Sequence, residues 1–514
     1  MRTKYAIRNI LTAWTGQLFV VVFNFIQRRV FVNYLDVSYL GVNGLFSNIL
    51  SLLSLAELGI GTAIVYSLYE PLAKEDWNKT ALLMNFYKKA YCMIGAFILI
   101  IGWLGTPFLS FFIKEDTGIP HLSIYYMLFV LDTAVSYFFA YKSSLIQANQ
   151  KSYIVTLYSQ LVKILRLCAS MLVLVIWKSF FIYLCVQIAS TLLENILISK
   201  KAEKMYPFLK LSFKGNKLPK EDWLKIKKNT LAMICHKVGT ILVAGTDNLL
   251  ISKFVGISVV GIYSNYMMVL NALTGILGHV FSSITAGVGN FVVTEQEERK
   301  RTLFRQIYFL NFWIYGFCSI CVFCLCNDFI SIWVGQGFFL DKKVIFVMMI
   351  NYYLTGMRKP VLIFRDAYGL FWQDRYKAIV EAFVNLVVSV FLAKYFGMLG
   401  VLLGTTISTI SVCLWVEPLI LFEYGIKTEN MVNYFLKFAI YGILTLVAGC
   451  LSYMIGDYLA AGYITIIRLV IKGMICAIVT NIIFWVATYK MNEFTYIKEL
   501  CQKIILLFTK KKEN

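Results

Sequence analysis

Fourteen apolar stretches, separated by short polar breaks, make up most of the chain. They run over 9–34, 40–68, 86–113, 121–145, 153–176 and 179–199. After the longest polar break come 229–254, 258–290, 305–326, 343–368, 377–396 and 400–423, and then 435–456 and 466–489. A hydrocarbon core about 30 Å thick is crossed by roughly 20 apolar residues in a helix, so each stretch is long enough to span it. The pattern predicts an all-α polytopic membrane protein with about 14 transmembrane helices.

Composition agrees. Of 514 residues 59% are hydrophobic and 15% charged, and the mean hydropathy is +0.71. Soluble domains lie near 45–50% apolar and about 25% charged, so too little polar surface exists here to cover a single water-facing core. The first apolar stretch is too long for a cleavable signal peptide and reads as an uncleaved span. The 12 cysteines lie mostly inside apolar stretches and read as small buried hydrophobes. Cys318, Cys321, Cys324 and Cys326 share one helix without the intervening loop of a closed zinc site.

The net charge of +21 would suit a nucleic-acid binder, but its placement points to topology. With the first residues on the cytoplasmic side, 37 of the 49 Lys and Arg fall in cytoplasmic segments or adjoining helix ends. That bias predicts both termini inside and leaves no nucleic-acid footprint to explain. The longest polar break, Lys200 to Asn229, is itself strongly basic and reads as a solvated linker against anionic headgroups. The expected organisation is therefore a six-helix bundle over 1–199 and a basic cytoplasmic linker over 200–228. A second six-helix bundle follows over 229–424, then two additional spans over 425–490 and a basic cytoplasmic tail over 491–514.

A weak internal repeat supports this division. FVNYL-DVSYLGVNGLF, from Phe31, resembles LISKFVGISVVGIYSNY, from Leu250, with one gap and an offset near 220 residues. Both copies enter the bilayer from the same side, which implies a parallel repeat about an axis along the membrane normal.

A charge at membrane depth costs about 2.5–3.5 kcal/mol on insertion scales and usually faces a cavity or a partner. Helical spacing gathers several polar residues into stripes. The first span carries Gln17, Asn24 and Arg28 on one face, with Gln27 and Arg29 beside it. The fifth carries Ser159, Lys163, Arg166 and Ser170. The tenth carries Asn351, Arg358 and Arg365 at heptad spacing, with Lys359 and Asp366 adjacent and Pro360 placed to kink the helix. The seventh carries His236, Thr240 and Asp247, with Lys237 alongside. Asp247, like Asp366, Glu57, Asp132 and Glu381, either pairs with a cation or takes a coupling ion during transport. His121 and His279 receive no role.

Convergence of these stripes would enclose a hydrated cationic chamber suited to a phosphate or pyrophosphate, which arginine grips in bidentate fashion. No P-loop, H-E-x-x-H or G-x-S-x-G motif is present. A transporter without its own ATP hydrolysis, and not an enzyme, is the expected class, with no cofactor and no metal.

Three segments carry a resemblance. LGVNGLFSNILSLLSLAELGIGTAIVYSLYEPLAKEDWNK, AGTDNLLISKFVGISVVGIYSNY and FRDAYGLFWQDRYKAIVEAFVNLVVS resemble the bacterial polysaccharide and O-antigen repeat-unit flippases (Wzx-type). These belong to the multidrug/oligosaccharidyl-lipid/polysaccharide (MOP) exporter superfamily. The resemblance reaches about residue 424. It implies two MATE-like six-helix bundles in a V around a central cavity, working by alternating access. The implied cargo is an undecaprenyl-pyrophosphate-linked oligosaccharide, moved to the outer leaflet of the bacterial cytoplasmic membrane for O-antigen, capsule or exopolysaccharide assembly. It further implies an H+ or Na+ gradient as the driving force, and other polysaccharide-assembly proteins as partners beside the lipid-linked substrate and the bilayer.

Alternatives are a lipid II or teichoic-acid precursor flippase, a multidrug or cation antiporter of the same superfamily and, in a different class, a membrane-embedded polysaccharide polymerase. If Arg358 serves cargo, Arg358→Ala should stop export at normal abundance. Asp247→Asn should weaken gradient-driven transport more than cargo binding.

Overall fold

A computed structural model describes residues 2–57, 67–68, 71–72, 74–113, 118–149, 151–210, 245–370 and 372–495. Among them every regular element is helical. The helices are α1 (Arg2–Tyr34), α2 (Val37–Leu53), α3 (Trp77–Gly105), α4 (Leu122–Ala148), α5 (Ser152–Trp177) and α6 (Phe180–Met205). They continue with α7 (Ile257–Thr294), α8 (Glu297–Trp333), α9 (Lys342–Met357), α10 (Lys359–Tyr368), α11 (Lys377–Phe396) and α12 (Met398–Ser408). The last are α13 (Leu414–Tyr424), α14 (Met431–Leu459) and α15 (Thr465–Thr488).

Among the described residues ten helices are long and apolar enough to cross a membrane, and α2 is a shorter apolar helix. The protein is a multi-pass membrane protein, as its sequence predicts. Its large exposed hydrophobics include Leu172, Phe383 and Val470, which would be untenable in water and are ordinary against lipid.

Local sequence sets the helix ends. Asp36, Asp76, Asp341 and Asn430 each accept a hydrogen bond from a backbone N–H of the first turn they precede. The predicted tenth span is broken as Pro360 requires. α9 stops at Met357, Arg358 stands between helices, and Pro360 occupies the first turn of α10, where its missing N–H costs nothing. The predicted twelfth span is one run from Met398 to Tyr424, with a π turn over Thr409–Cys413 joining α12 to α13.

The chain forms two compact units, Met1–Ser264 and Asn265–Asn514. In the first, α1 packs on α5, α4 packs on α3 and α6, and α5 packs on α6. Phe31, Phe46, Tyr87, Tyr126 and Phe180 fill its core. In the second, α8 is the central helix and touches α9, α14 and α15. Phe312 stacks on Tyr441 of α14 at 4.2 Å and meets Phe484 of α15 at 4.6 Å. The two additional spans are thereby part of the second unit's core.

The boundary between compact units thus differs from the expected linker at 200–228, because residues 245–264 pack on α1 and α2. Residues 211–244, which hold most of that linker and the start of the predicted seventh span, lie outside the described residues. The packing of 245–264 is reciprocal in the repeat. A Cβ on Gly41 would lie 2.0 Å from the Ile257 carbonyl oxygen, and one on Gly261 would lie 2.4 Å from that of Val37. Those contacts exchange under the 220-residue offset. Ser38 and Ser258, related by the same offset, have hydroxyl oxygens 3.2 Å apart. Arg28 also reaches Ser264, at the end of the same segment. The repeat is therefore a self-complementary helix seam, and glycine is required at 41 and 261 because the backbones touch.

A Ser38→Cys/Ser258→Cys protein should form an internal disulfide under mild oxidation. A cut introduced between residues 200 and 229 would then leave the fragments joined on a non-reducing gel. Fragments that separate would show that the seam does not exist in the membrane.

Candidate functional site

α1, α5 and α6 together build a cavity of about 140 Å³ inside the first unit. Asn24, Gln27 and Arg28 come from α1, Arg166 and Ser170 from α5, and Tyr183 and Gln187 from α6, with Asn43 of α2 closing the wall. The α1 and α5 stripes meet here because the two helices pack along their lengths.

The wall is polar and positively charged. Arg28 Nη1 donates to Ser264 Oγ at 3.0 Å, and Ser264 in turn donates to the Gly261 carbonyl at 2.7 Å. Gln27 Nε2 donates to Tyr183 OH at 3.4 Å. Gln187 Nε2 donates to Asp132 Oδ2 at 2.8 Å, which places the acid behind the glutamine. Among the lining residues there are two guanidiniums and no carboxylate. Such a wall presents N–H donors in a low-dielectric setting, the arrangement that holds a phosphate-type anion.

The other residues of these stripes lie elsewhere. Gln17, Arg29 and Lys163 are on exposed faces of α1 and α5. Glu57 ends the short 3₁₀ turn after α2, where Tyr91 OH donates to it at 2.7 Å and Tyr137 OH at 3.4 Å. Asp247 is half-buried within 245–254, and His236 and Lys237 lie outside the described residues.

The second unit treats its cations differently. Arg358 makes a bidentate pair with Glu417 of α13, Nε to Oε2 at 2.9 Å and Nη2 to Oε1 at 2.6 Å. Lys377 Nζ donates to the same Glu417 Oε1 at 2.6 Å. Glu381 completes the group, 3.6 Å from Arg358 and 3.9 Å from Lys377. Two cations and two carboxylates give no net formal charge. Arg365 donates to Asp366 Oδ1 at 3.0 and 2.7 Å and also pairs with Asp374. Asn351 donates to the Leu402 carbonyl at 3.0 Å and accepts from Thr406 at 2.7 Å. Arg358 and Arg365 therefore sit in ion clusters of their own unit, and Glu381 and Asp366 are their partners.

Sequence reasoning missed Glu417, Lys377 and Asp374. Glu417 carried a usable signal, a lone acid in the apolar run CLWVEPLIL, and the cost of that charge called for a cation. Tyr183, Gln187 and Asn43 carried none, because uncharged polar residues are common in membrane helices.

Helices of this length and order, with a polar arginine-bearing cavity in the first unit, define a multi-pass membrane protein of the helical class. The chain belongs to the polysaccharide biosynthesis protein family, whose sequence profile matches residues 6–288. Its fold is similar to that of the lipid II flippase MurJ in an inward closed conformation, with a TM-score of 0.63 and 14% identity. That match covers 93% of this chain and 100% of MurJ. An inward-facing multidrug resistance MATE family transporter of the MOP superfamily gives 0.63 at 12% identity, over 82% of this chain and 100% of its own. A MOP superfamily transporter from Pyrococcus furiosus, described as having a binding pocket of reverse polarity, gives 0.53 at 13% identity, over 83% and 97%. No curated protein matches the chain in sequence.

Proposed function

We propose that the protein is a flippase for a polyprenyl-pyrophosphate-linked oligosaccharide. It carries this lipid from the inner to the outer leaflet of the bacterial cytoplasmic membrane for surface polysaccharide assembly, with both termini in the cytoplasm. The observation that carries the reading is the cavity where Arg28 and Arg166 line one wall with no lining carboxylate. A cavity of about 140 Å³ is too small for an oligosaccharide and its lipid. It suits the pyrophosphate, the one part common to every such substrate, and leaves sugar and tail outside. Membership of the polysaccharide biosynthesis family and a fold similar to MurJ support a cargo of this kind over a cationic drug, which two arginines would repel. The work required is movement without bond cleavage, so the protein acts as a transporter and no catalytic residue is assigned.

The test is reconstitution of the full chain in vesicles with a labelled undecaprenyl-pyrophosphate oligosaccharide in one leaflet. The label should become accessible from the other side, with its glycosidic linkages intact, faster than in protein-free vesicles. Equal movement of an uncharged polyprenol-linked sugar would remove the pyrophosphate from the proposal. Coupling to an H+ or Na+ gradient belongs to the same proposal, and rates indifferent to both gradients would exclude it.

A further inference from the structure

A second cavity, about 390 Å³, lies wholly within the second unit and plays no part in the reading above. It opens at the end of the bundle where α8 and α14 finish and α9 and α15 begin. Three cations and two carboxylates meet there. Lys472 Nζ is 3.0 Å from Asp328 Oδ2 and 2.6 Å from Asp457 Oδ1, and its side chain is nearly buried. Its charge is thereby committed to the protein.

The other two cations are held loosely. Lys342 donates to the Tyr453 hydroxyl but stands 3.9 Å from its nearest carboxylate, with its side chain 68% exposed. Arg468 Nε stands 3.6 Å from Asp328 Oδ1, beyond hydrogen-bond length, with the side chain 40% exposed. Among the described residues Arg468 Nε has no hydrogen-bond partner although the atom itself is shielded. The cluster carries one formal positive charge in excess, and Lys342 and Arg468 both line the cavity.

The surroundings identify the source of the missing anion. Tyr458, Tyr463, Ile464 and Ile467 lie exposed where α14 turns into α15, and Phe339 is exposed on the cavity wall. Aromatic side chains gathered at helix ends mark the level of lipid headgroups. Below them, α14 and α15 present exposed Met454, Leu451, Val470 and Met474, a surface for acyl chains. We infer that this cavity binds the headgroup of an anionic diacyl phospholipid, its phosphate bridging Lys342 and Arg468 and its chains lying along α14 and α15. A single net negative charge matches the single excess positive charge, and lysine and arginine donors suit the oxygens of a phosphate.

The experiment places the purified full chain in nanodiscs of equal phosphatidylglycerol, phosphatidylethanolamine and phosphatidylcholine. The phospholipid that stays bound after extraction into detergent is then counted by mass spectrometry. Wild type should retain phosphatidylglycerol over phosphatidylcholine by about tenfold, because phosphatidylcholine offers the same phosphate but adds a cation that the excess positive charge of the site disfavours. Lys342→Gln/Arg468→Gln should lose that preference. Both side chains are exposed and Lys472 keeps its two partners, so the variant should fold, which its thermal midpoint would confirm. Lys342→Arg should retain the preference as a charge-conserving control. Equal retention of the three lipids by wild type, an unchanged preference in the double variant, or a preference for phosphatidylethanolamine bridging Arg468 and Asp457 would each overturn the inference. So would displacement of the retained lipid by millimolar inorganic phosphate, because the site would then recognise a free anion. Neither a sugar substrate nor transport enters the readout, so this result stands apart from that of the flippase test.

Discussion

Glu417→Ala should cost the protein its folded second unit, and with it most of its abundance in the membrane. Glu417 is almost fully buried and accepts from two cations at once, Arg358 and Lys377. Removing it leaves those cations, among the described residues, with Glu381 as their ion-pair partner, 3.6 and 3.9 Å away. Breaking a buried pair by deleting one partner costs about 3–5 kcal/mol, since the other charge stays desolvated. That is a large fraction of a domain stability of about 5–15 kcal/mol. Arg358→Ala should fail in the same way, because Glu417 then keeps Lys377 alone. The expectation that Arg358→Ala stops export at normal abundance is thus replaced by one in which abundance falls first.

Arg358→Met/Glu417→Met supplies the check, because it removes the pair and retains Lys377 beside Glu381. The double variant should recover much of the lost thermal midpoint, measured on detergent-solubilised full chain. If the single variants match wild type in abundance and midpoint, the cluster does not stabilise the fold, and Arg358 returns to the list of cargo contacts.

The reason Arg358 misleads in sequence is geometric. Periodicity assigns Asn351, Arg358 and Arg365 to one face of one unbroken helix, whereas Asn351 lies on α9, Arg365 on α10 and Arg358 between them. It does not show what that face meets. The acid that neutralises Arg358 is 59 residues away, on a helix whose stripe has no other charge. For Arg28 and Arg166 the same reasoning places both residues on the wall of one cavity, because the α1 and α5 stripes face each other and no carboxylate stands between them. Spans were legible because bilayer thickness imposes a minimum apolar length on each of them, and the break at Pro360 because proline lacks an N–H. The reciprocal seam was legible only as a faint repeat: two glycines and two serines at a 220-residue offset carry it, and small residues say little until the backbones are seen to touch. The edge of the first compact unit at Ser264 was not legible, since charge and polarity mark a linker while packing marks a unit.

Arg28→Gln and Arg166→Gln should each slow translocation of a pyrophosphate-linked sugar by about tenfold to a hundredfold. A hydrogen bond to a charged group contributes about 1.5–3 kcal/mol, and the anion would lose one such donor set in each variant. Abundance should stay near that of wild type, and the contrast with Glu417 follows from what each substitution strands. Arg28 is bonded to the neutral Ser264, which already donates to the Gly261 carbonyl, so its removal leaves no buried charge without a partner. The lining set around Arg166 likewise contains no acid to be orphaned. If both guanidiniums grip the same pyrophosphate, the two effects should not add, and the double variant should lose less than the product of the single losses. Translocation in proteoliposomes, normalised to folded protein, measures all three. Losses that multiply would place the arginines at separate steps. Wild-type rates in both single variants would remove this cavity from the path of the cargo.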